Sequence, residues 1–244
     1  MKINLLITGA SGNIGMAIIK KFYKKNYNII AIDKNENNNL KKQFPKIYFF
    51  KCDLANEKSI NKLFLKIEKK FKSIDILINN AGLIFNSLIV RFNNKGLKKH
   101  SYNSWKKVFS SNVHTTFLTS TYTVENMIKN RNKGLIINIS SISAEGNIGQ
   151  SAYSSSKAAI EAFSITLSKE LSVFGIRVVA IAPGFFDVKS TIKSISDNQI
   201  KKIISATPSN RLGKIDELIN AINFVINNKF FNGKILKIDG GLRV

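Results

Sequence analysis

The feature that most constrains this chain is an alternation that runs from one end to the other. Short apolar runs, "INLLI", "YNIIAI", "KIYFF", "IDILI", "GLIINI", "IRVVAI" and "KILKI", are separated by stretches with helical periodicity. In Glu57 to Phe71, for example, Ile60, Leu63, Phe64, Ile67 and Phe71 line one face. A strand that is apolar on both faces needs cover on both sides, and helices between successive strands supply it through right-handed crossovers. The expected fold is therefore α/β: a single doubly wound, Rossmann-like domain over 1–244, with a seven-stranded parallel sheet and helices on both faces. A chain of 244 residues that is 44% hydrophobic buries one large core of this kind. There is no internal repeat or linker. The one low-complexity patch, "KNENNN" (Lys34 to Asn39), reads as a surface loop after the second strand, and the three prolines (Pro45, Pro183, Pro208) spare every proposed helix before residue 180.

Composition narrows the function classes. The opening "MKINLLITGA" reaches glycine too soon for a signal peptide, and no run of eighteen apolar residues follows, so a cytoplasmic protein without a membrane span is expected. The single cysteine, Cys52, excludes an intrachain disulfide and cannot build a zinc site; it reads as a small buried strand residue. His100 and His114 have no companion Cys or carboxylate cluster, so no metal is expected. The net charge of +23 invites a nucleic-acid reading, but only five basic residues are Arg (Arg91, Arg131, Arg177, Arg211, Arg243), and they are scattered. Lysines are spread along the whole chain beside abundant Asn and Ile. A solvated basic surface fits better than a nucleic-acid groove, and such a field favours an anionic substrate such as a CoA ester or an acidic carrier protein.

"TGASGNIG", Thr8 to Gly15, ends the first strand and opens a helix expected over Asn13 to Lys25. Gly9, Gly12 and Gly15 allow a tight turn and close approach of backbone to a pyrophosphate, which rests on the helix N-terminus; Ser11, Asn13 and Ile14 complete the loop. The spacing imitates extended epimerases, with Asn13 where compact enzymes carry a middle glycine. Asn tolerates left-handed backbone, so the turn survives the change. The last strand, "GKILKIDGG", lies close to Val244, which points to the compact kind. Asp33 ends the second strand eighteen residues after Gly15, where a carboxylate accepts hydrogen bonds from the adenosine ribose and repels a 2′-phosphate. Gly12 offers no basic side chain for that phosphate. Both features favour NAD(H); Lys34, directly after Asp33, keeps NADP(H) open.

The chemistry sits in "INISSISAEGNIGQSAYSSSKAAI". Tyr153 and Lys157 are four apart and share one helix face. A phenol titrates near 10, and a nearby ammonium lowers that value, making the pair an acid/base for a secondary alcohol or ketone. Ser140 and Ser141 close the preceding strand, and Asn112 lies on the intervening helix.

With these parts in order, the chain resembles the short-chain dehydrogenase/reductase family over essentially its whole length. Further matching motifs are "CDL" (Cys52 to Leu54), "NNAG" (Asn79 to Gly82), "SSNV" around Asn112, "APGF" (Ala182 to Phe185) and "IDGG" (Ile238 to Gly241). The resemblance implies that Tyr153 is the general acid/base and that Lys157 binds the nicotinamide ribose while lowering the tyrosine pKa. It implies that a strand-end serine holds the substrate oxygen and that Asn112 supports a water relay behind the lysine. Asp53, with Leu54, would contact the adenine side; Asn80, Ala81 and Gly82 would flank the cofactor, and Pro183 and Gly184 would wall the nicotinamide. The usual spacing selects Ser140, whereas anchoring on the strand end selects Ser141, which is preferred here. Val188 stands where the family often has a threonine facing the nicotinamide amide, so that polar interaction is either missing or made by Thr191. "RFNNKGLKKHSYNSW" (Arg91 to Trp105) looks like an inserted basic loop near the active-site mouth or a surface decoration. Within the family the chain looks most like 3-oxoacyl-(acyl-carrier-protein) reductases, which mostly use NADPH. Dehydrogenases of hydroxyacyl-CoA, hydroxysteroid or sugar substrates are the alternative, and a non-catalytic nucleotide sensor is the alternative of another class. The helix expected over Trp105 to Met127 and the one containing Ala158 to Leu171 commonly build a homodimer or homotetramer in this family.

Overall fold

A computed structural model of the protein describes residues 2–94, 96–188 and 196–243. Seven strands form one parallel sheet: β1 (Ile3–Thr8), β2 (Tyr27–Asp33), β3 (Tyr48–Lys51), β4 (Ile76–Asn79), β7 (Leu135–Ile139), β8 (Arg177–Pro183) and β9 (Ile235–Ile238). Their spatial order is β3-β2-β1-β4-β7-β8-β9. The chain runs outward from β1 to β3, then returns to lay β4 on the other side of β1, in the register Leu5↔Ile76. The crevice at this reversal is where a doubly wound sheet binds its ligand. The fold expected from the strand pattern is the one found.

Helices α1 (Asn13–Tyr23), α2 (Asn38–Gln43), α3 (Glu57–Lys70), α4 (Tyr102–Phe109), α5 (Thr115–Lys129) and α6 (Ser151–Glu170) cover the sheet, with two more at Asp197–Ala206 and Ile215–Asn227. Each sheet face carries its own core. Leu5, Ile7, Ile18 and Phe22 pack with Ile219 and Ile222 on one side; Leu6, Ile30, Leu63, Phe64 and Val178 pack with Met127 on the other. The odd and even residues of β1 thus serve opposite cores, as the period of two requires. Asn56 caps α3 by accepting from the Ser59 amide at 3.0 Å. Cys52 is buried just beyond β3, and burial raises its thiol pKa. No described helix is long and apolar enough to cross a membrane.

Three local expectations need correction. First, α1 ends at Tyr23, not Lys25. Second, the single helix from Trp105 to Met127 is two helices, α4 starting at Tyr102 and α5 ending at Lys129, joined by a π turn at Ser110–His114. One extra residue in that turn lets Asn112 face the site. Third, Asn13 does not use left-handed backbone: it is the first helical residue of α1, and the positive φ of the loop belongs to Gly9 at 64°.

The segment from Arg91 is not an irregular loop either. Antiparallel β5 (Val90–Asn93) and β6 (Gly96–Lys99) pair as Val90↔Lys99 and Phe92↔Leu97, a hairpin separate from the main sheet. Gly96 at φ 97° makes the turn possible. Behind the hairpin, His100 stands edge-on to Phe85 and Trp105, and Trp105 stacks on Phe109 at 5.0 Å.

Candidate active site

The cofactor side is built from backbone contacts that only small residues permit. Thr8 ends β1, and its hydroxyl accepts from the amides of Asn80 and Ala81, both at 3.0 Å. Asn80 Nδ2 donates back to the carbonyls of Thr8 and Gly9. A Cβ on Gly9 would lie 2.8 Å from Ala81 Cα, and one on Gly15 would lie 2.3 Å from the Gly9 carbonyl oxygen. Gly12 is the N-cap of α1, with no capping side chain and no acidic residue in the first turn. The buried Ser11 hydroxyl has no partner. An uncapped helix start with an unmet hydroxyl beside it fits a diphosphate, which would complete those donors.

Asp33 closes the loop from the side. Its Oδ2 accepts from the Ser11 amide and its Oδ1 from Asn35, each at 2.9 Å. Lys34 reaches away to Asp53, Nζ to Oδ2 at 2.7 Å, and that contact holds the Asp53 carboxyl below its ordinary pKa. Leu54 is buried beside it. On the far side, Pro183 and Gly184 end β8, and the Gly184 amide donates to Ile238 at 2.8 Å. A Cβ on Gly184 would come within 2.8 Å of Asp239 Cα, so this wall also depends on glycine. Val188 packs partly buried against the core. Thr191 lies outside the described residues.

The catalytic candidates converge from three elements. Tyr153 and Lys157 lie on α6, Ser141 follows β7, and Asn112 comes from the π turn. Lys157 is buried, and its Nζ donates to the Ile139 carbonyl at 2.7 Å while standing 5.7 Å from the Tyr153 ring centre. Desolvation lowers the Lys157 pKa to about 8, against the opposing field of Glu161. Burial raises the Tyr153 pKa, and a hydrogen bond from Ser141 works against it. Asn112 is fully buried: Oδ1 accepts from the Leu83 amide at 2.6 Å, and Nδ2 donates to the Leu83 carbonyl and to Ser156 Oγ. Gly82 lies between them, where a Cβ would stand 3.3 Å from Asn112 Oδ1 and 3.6 Å from Lys157 Nζ.

The two serines separate cleanly. Ser141 reaches the Tyr153 phenol and also accepts from the Ser143 amide at 3.2 Å. Ser140 turns the other way, donating to Glu161 Oε1 at 2.9 Å and standing 3.3 Å from the Lys157 carbonyl. Glu161 was not singled out by sequence; its spacing of four from Lys157 was the available signal. Among the described residues, no group of three or more His, Cys, Asp or Glu side chains converges as a metal site.

This arrangement defines a class, and the comparisons agree on it: residues 4–200 match the short chain dehydrogenase family, and the chain belongs to that family. It is an oxidoreductase acting between CH–OH and C=O groups with a nicotinamide dinucleotide. It is 32% identical to the 3-oxoacyl-(acyl-carrier-protein) reductase FabG of Chlamydia muridarum, over 97% of this chain and 96% of that protein. Against the same-named enzyme of Escherichia coli it is 30% identical, with the same coverage. Among solved structures, a short chain dehydrogenase of Leptospira borgpetersenii with bound NAD+ superposes with a TM-score of 0.88 at 27% identity, covering 100% of this chain and 94% of that one. ElxO with NADP bound gives 0.87 at 28% identity, covering 99% and 98%.

Proposed function

We propose that the chain is an NAD(H)-linked reductase of 3-oxoacyl thioesters, with Tyr153 as proton donor. The observation that carries the mechanism is the convergence of Ser141, Tyr153 and Lys157 beside the glycine cradle at the switch point. The dinucleotide supplies a hydride to the carbonyl carbon. Ser141 orients the carbonyl oxygen, and Tyr153 O–H delivers the proton to it as the alcohol forms. The charged Lys157 holds the nicotinamide ribose and stabilises the phenolate left behind. Asn112 anchors the Gly82–Leu83 backbone against α6 through Ser156, keeping the lysine's neighbourhood fixed and backing a water path to it. Asp33, Asp53 and Leu54 border the adenosine side; Asn80, Ala81, Pro183 and Gly184 form the walls.

The cofactor preference rests on Asp33. A carboxylate at the end of β2 would accept from the ribose hydroxyls and repel a 2′-phosphate, Gly12 offers no cation, and Lys34 is drawn to Asp53. The thioester class is supported by the names of the relatives and by the net charge of +23, which attracts anionic carriers. Self-association through α5 and α6 is part of the proposal, since Phe117 is half exposed against Phe163 at 6.1 Å across these helices. Initial rates with acetoacetyl thioesters, and with steroid and sugar ketones, under NADH and NADPH test the reading. NADH with a thioester is the expected best pair. An NADPH preference removes the cofactor assignment, and turnover of steroid or sugar ketones alone moves the enzyme to the dehydrogenase alternative. Tyr153→Phe should cut kcat by about 10³-fold or more while NADH still binds by fluorescence titration; near-normal turnover rejects the mechanism.

A further inference from the structure

The hairpin stands outside the main sheet, with solvent on both of its faces. β5 and β6 pair only with each other, and Val90, Arg91, Phe92, Leu97, Lys98 and Lys99 are all exposed. The register orders these residues from the tip inward. After the Asn93↔Gly96 pair come Phe92↔Leu97, then Arg91↔Lys98, then Val90↔Lys99. Phe92 is 82% exposed and Leu97 74%. Two large apolar side chains therefore lead, and three cations follow within about 7 Å, since each strand residue advances roughly 3.4 Å.

The apolar surface continues at the root of the hairpin. Leu88 and Ile89 are exposed there, and the Ser87 amide donates to the Gly149 carbonyl at 2.6 Å, tying the turn Gly146 to Gly149 beside them. Ile148, in that turn, is 91% exposed. A two-stranded hairpin is marginal in water by itself. Here its base is held: the His100 amide donates to the Ile89 carbonyl at 2.7 Å, and the His100 ring meets Phe85 and Trp105 edge-on. The stretch 84–107 contains six Lys or Arg residues and no Asp or Glu.

Each candidate occupant makes a different demand on this surface. A second copy of the chain would bring another net charge of +23 against these cations. A nucleic acid would meet the cations and leave Phe92 and Leu97 in water. A bilayer with anionic headgroups meets both, because apolar side chains at a narrow tip sink past the headgroups while cations just behind stay level with them. We propose that the β5–β6 hairpin, with Ile148 beside its root, is an interfacial anchor that holds the protein on anionic membrane surfaces. The attachment is peripheral and reversible, and it is independent of which carbonyl substrate the site reduces.

The test is co-sedimentation at near-physiological salt with vesicles of phosphatidylcholine and phosphatidylglycerol in equal parts, against phosphatidylcholine alone. The wild type should partition about tenfold or more in favour of the mixed vesicles. Phe92→Ser with Leu97→Ser should weaken that partition about tenfold, and so should Arg91→Glu with Lys98→Glu, which also flattens its salt dependence. Lys58→Glu with Lys62→Glu, at exposed positions on α3, makes the same charge change elsewhere and should alter partition by less than about threefold. All three double variants should keep the wild-type melting temperature and NADH affinity. An equal loss in the α3 variant reduces the effect to net charge and overturns the inference. Partition that survives the loss of Phe92 and Leu97 overturns it as well, as does a wild type that ignores the mixed vesicles. Self-association without vesicles, abolished by the two serines, assigns this surface to a second copy instead.

Discussion

The glycine loop and the hairpin of this molecule are built on opposite terms. Around β1, α1 and β4, backbone touches backbone: Gly9 approaches Ala81, Gly15 sits on the Gly9 carbonyl, and Thr8 joins Asn80 and Ala81 by paired hydrogen bonds. Around the hairpin and the turn Gly146 to Gly149, apolar side chains face solvent and three oxygens lack partners. One side is complete except for the ligand's diphosphate. The other has its contacts still to be made by whatever binds there. A shared cofactor can be met by a fixed cradle, whereas substrate choice is left to surface side chains that contribute little to folding.

That contrast can be strained at its hinge, Lys157, where the largest effect is expected. The drop from 10.5 to about 8 corresponds to about 3 kcal/mol of destabilisation by the buried charge. Losing the bond to Ile139 returns about 1 kcal/mol. Lys157→Met should therefore abolish turnover yet make the cofactor-free protein about 2 kcal/mol more stable at pH 7 by urea unfolding. The sign with pH follows from the depressed value. Between about pH 8 and 10.5 the unfolded chain keeps a proton that the folded chain has released, so wild-type stability rises through that window. The variant lacks this rise, and its advantage should vanish by the top of the window. A variant less stable than wild type at pH 7 would show that the buried charge is not the cost assigned to it.

On the cofactor side, Gly15→Ala forces a Cβ against a backbone oxygen that cannot move without Gly9. A loss of about 2 kcal/mol is expected, seen as roughly 4–8 °C in a thermal melt, with NADH affinity reduced together with stability. The hairpin should answer differently. Phe92→Ser, on the exposed hairpin, should change stability by less than about 0.5 kcal/mol in the same melt and leave NADH affinity unchanged. If Phe92→Ser destabilises as much as Gly15→Ala, the two sides are not built differently and the comparison fails.

The sequence was most legible where a local period decides the structure. The apolar runs marked all seven strands of the sheet; the inner ones are buried on both faces, while the edge strands β3 and β9 are only partly covered. The Tyr153–Lys157 spacing placed both on one face of α6 for the same kind of reason. The hairpin was also written in the chain, as "VRFN" and "GLKK" around a glycine turn, but the charged residues at alternate positions hid its apolar face. Ser140 and Ser141 could not be separated from spacing alone, since the direction each hydroxyl takes depends on Glu161 and Ser143, which reach them through tertiary packing. The π turn at Asn112 left no periodic mark, because a single extra residue shifts a helical pattern too little to be noticed. The Ile139 carbonyl that takes the Lys157 ammonium left no mark either, because it is distant in sequence.

The hydrogen bonds of Thr8 carry a consequence for how the molecule is made. The loop after β1 is among the first parts of the chain to be synthesised, but its partners Asn80 and Ala81 are 72 and 73 residues further on. Closing so long a loop requires β4 to be in place and costs more entropy than a local turn. A nascent chain released or cleaved before residue 81 therefore carries the whole glycine motif without the contacts that set it. The earliest-written part of the site thus lacks the amides that meet the Thr8 hydroxyl until β4 and the residues after it are in place.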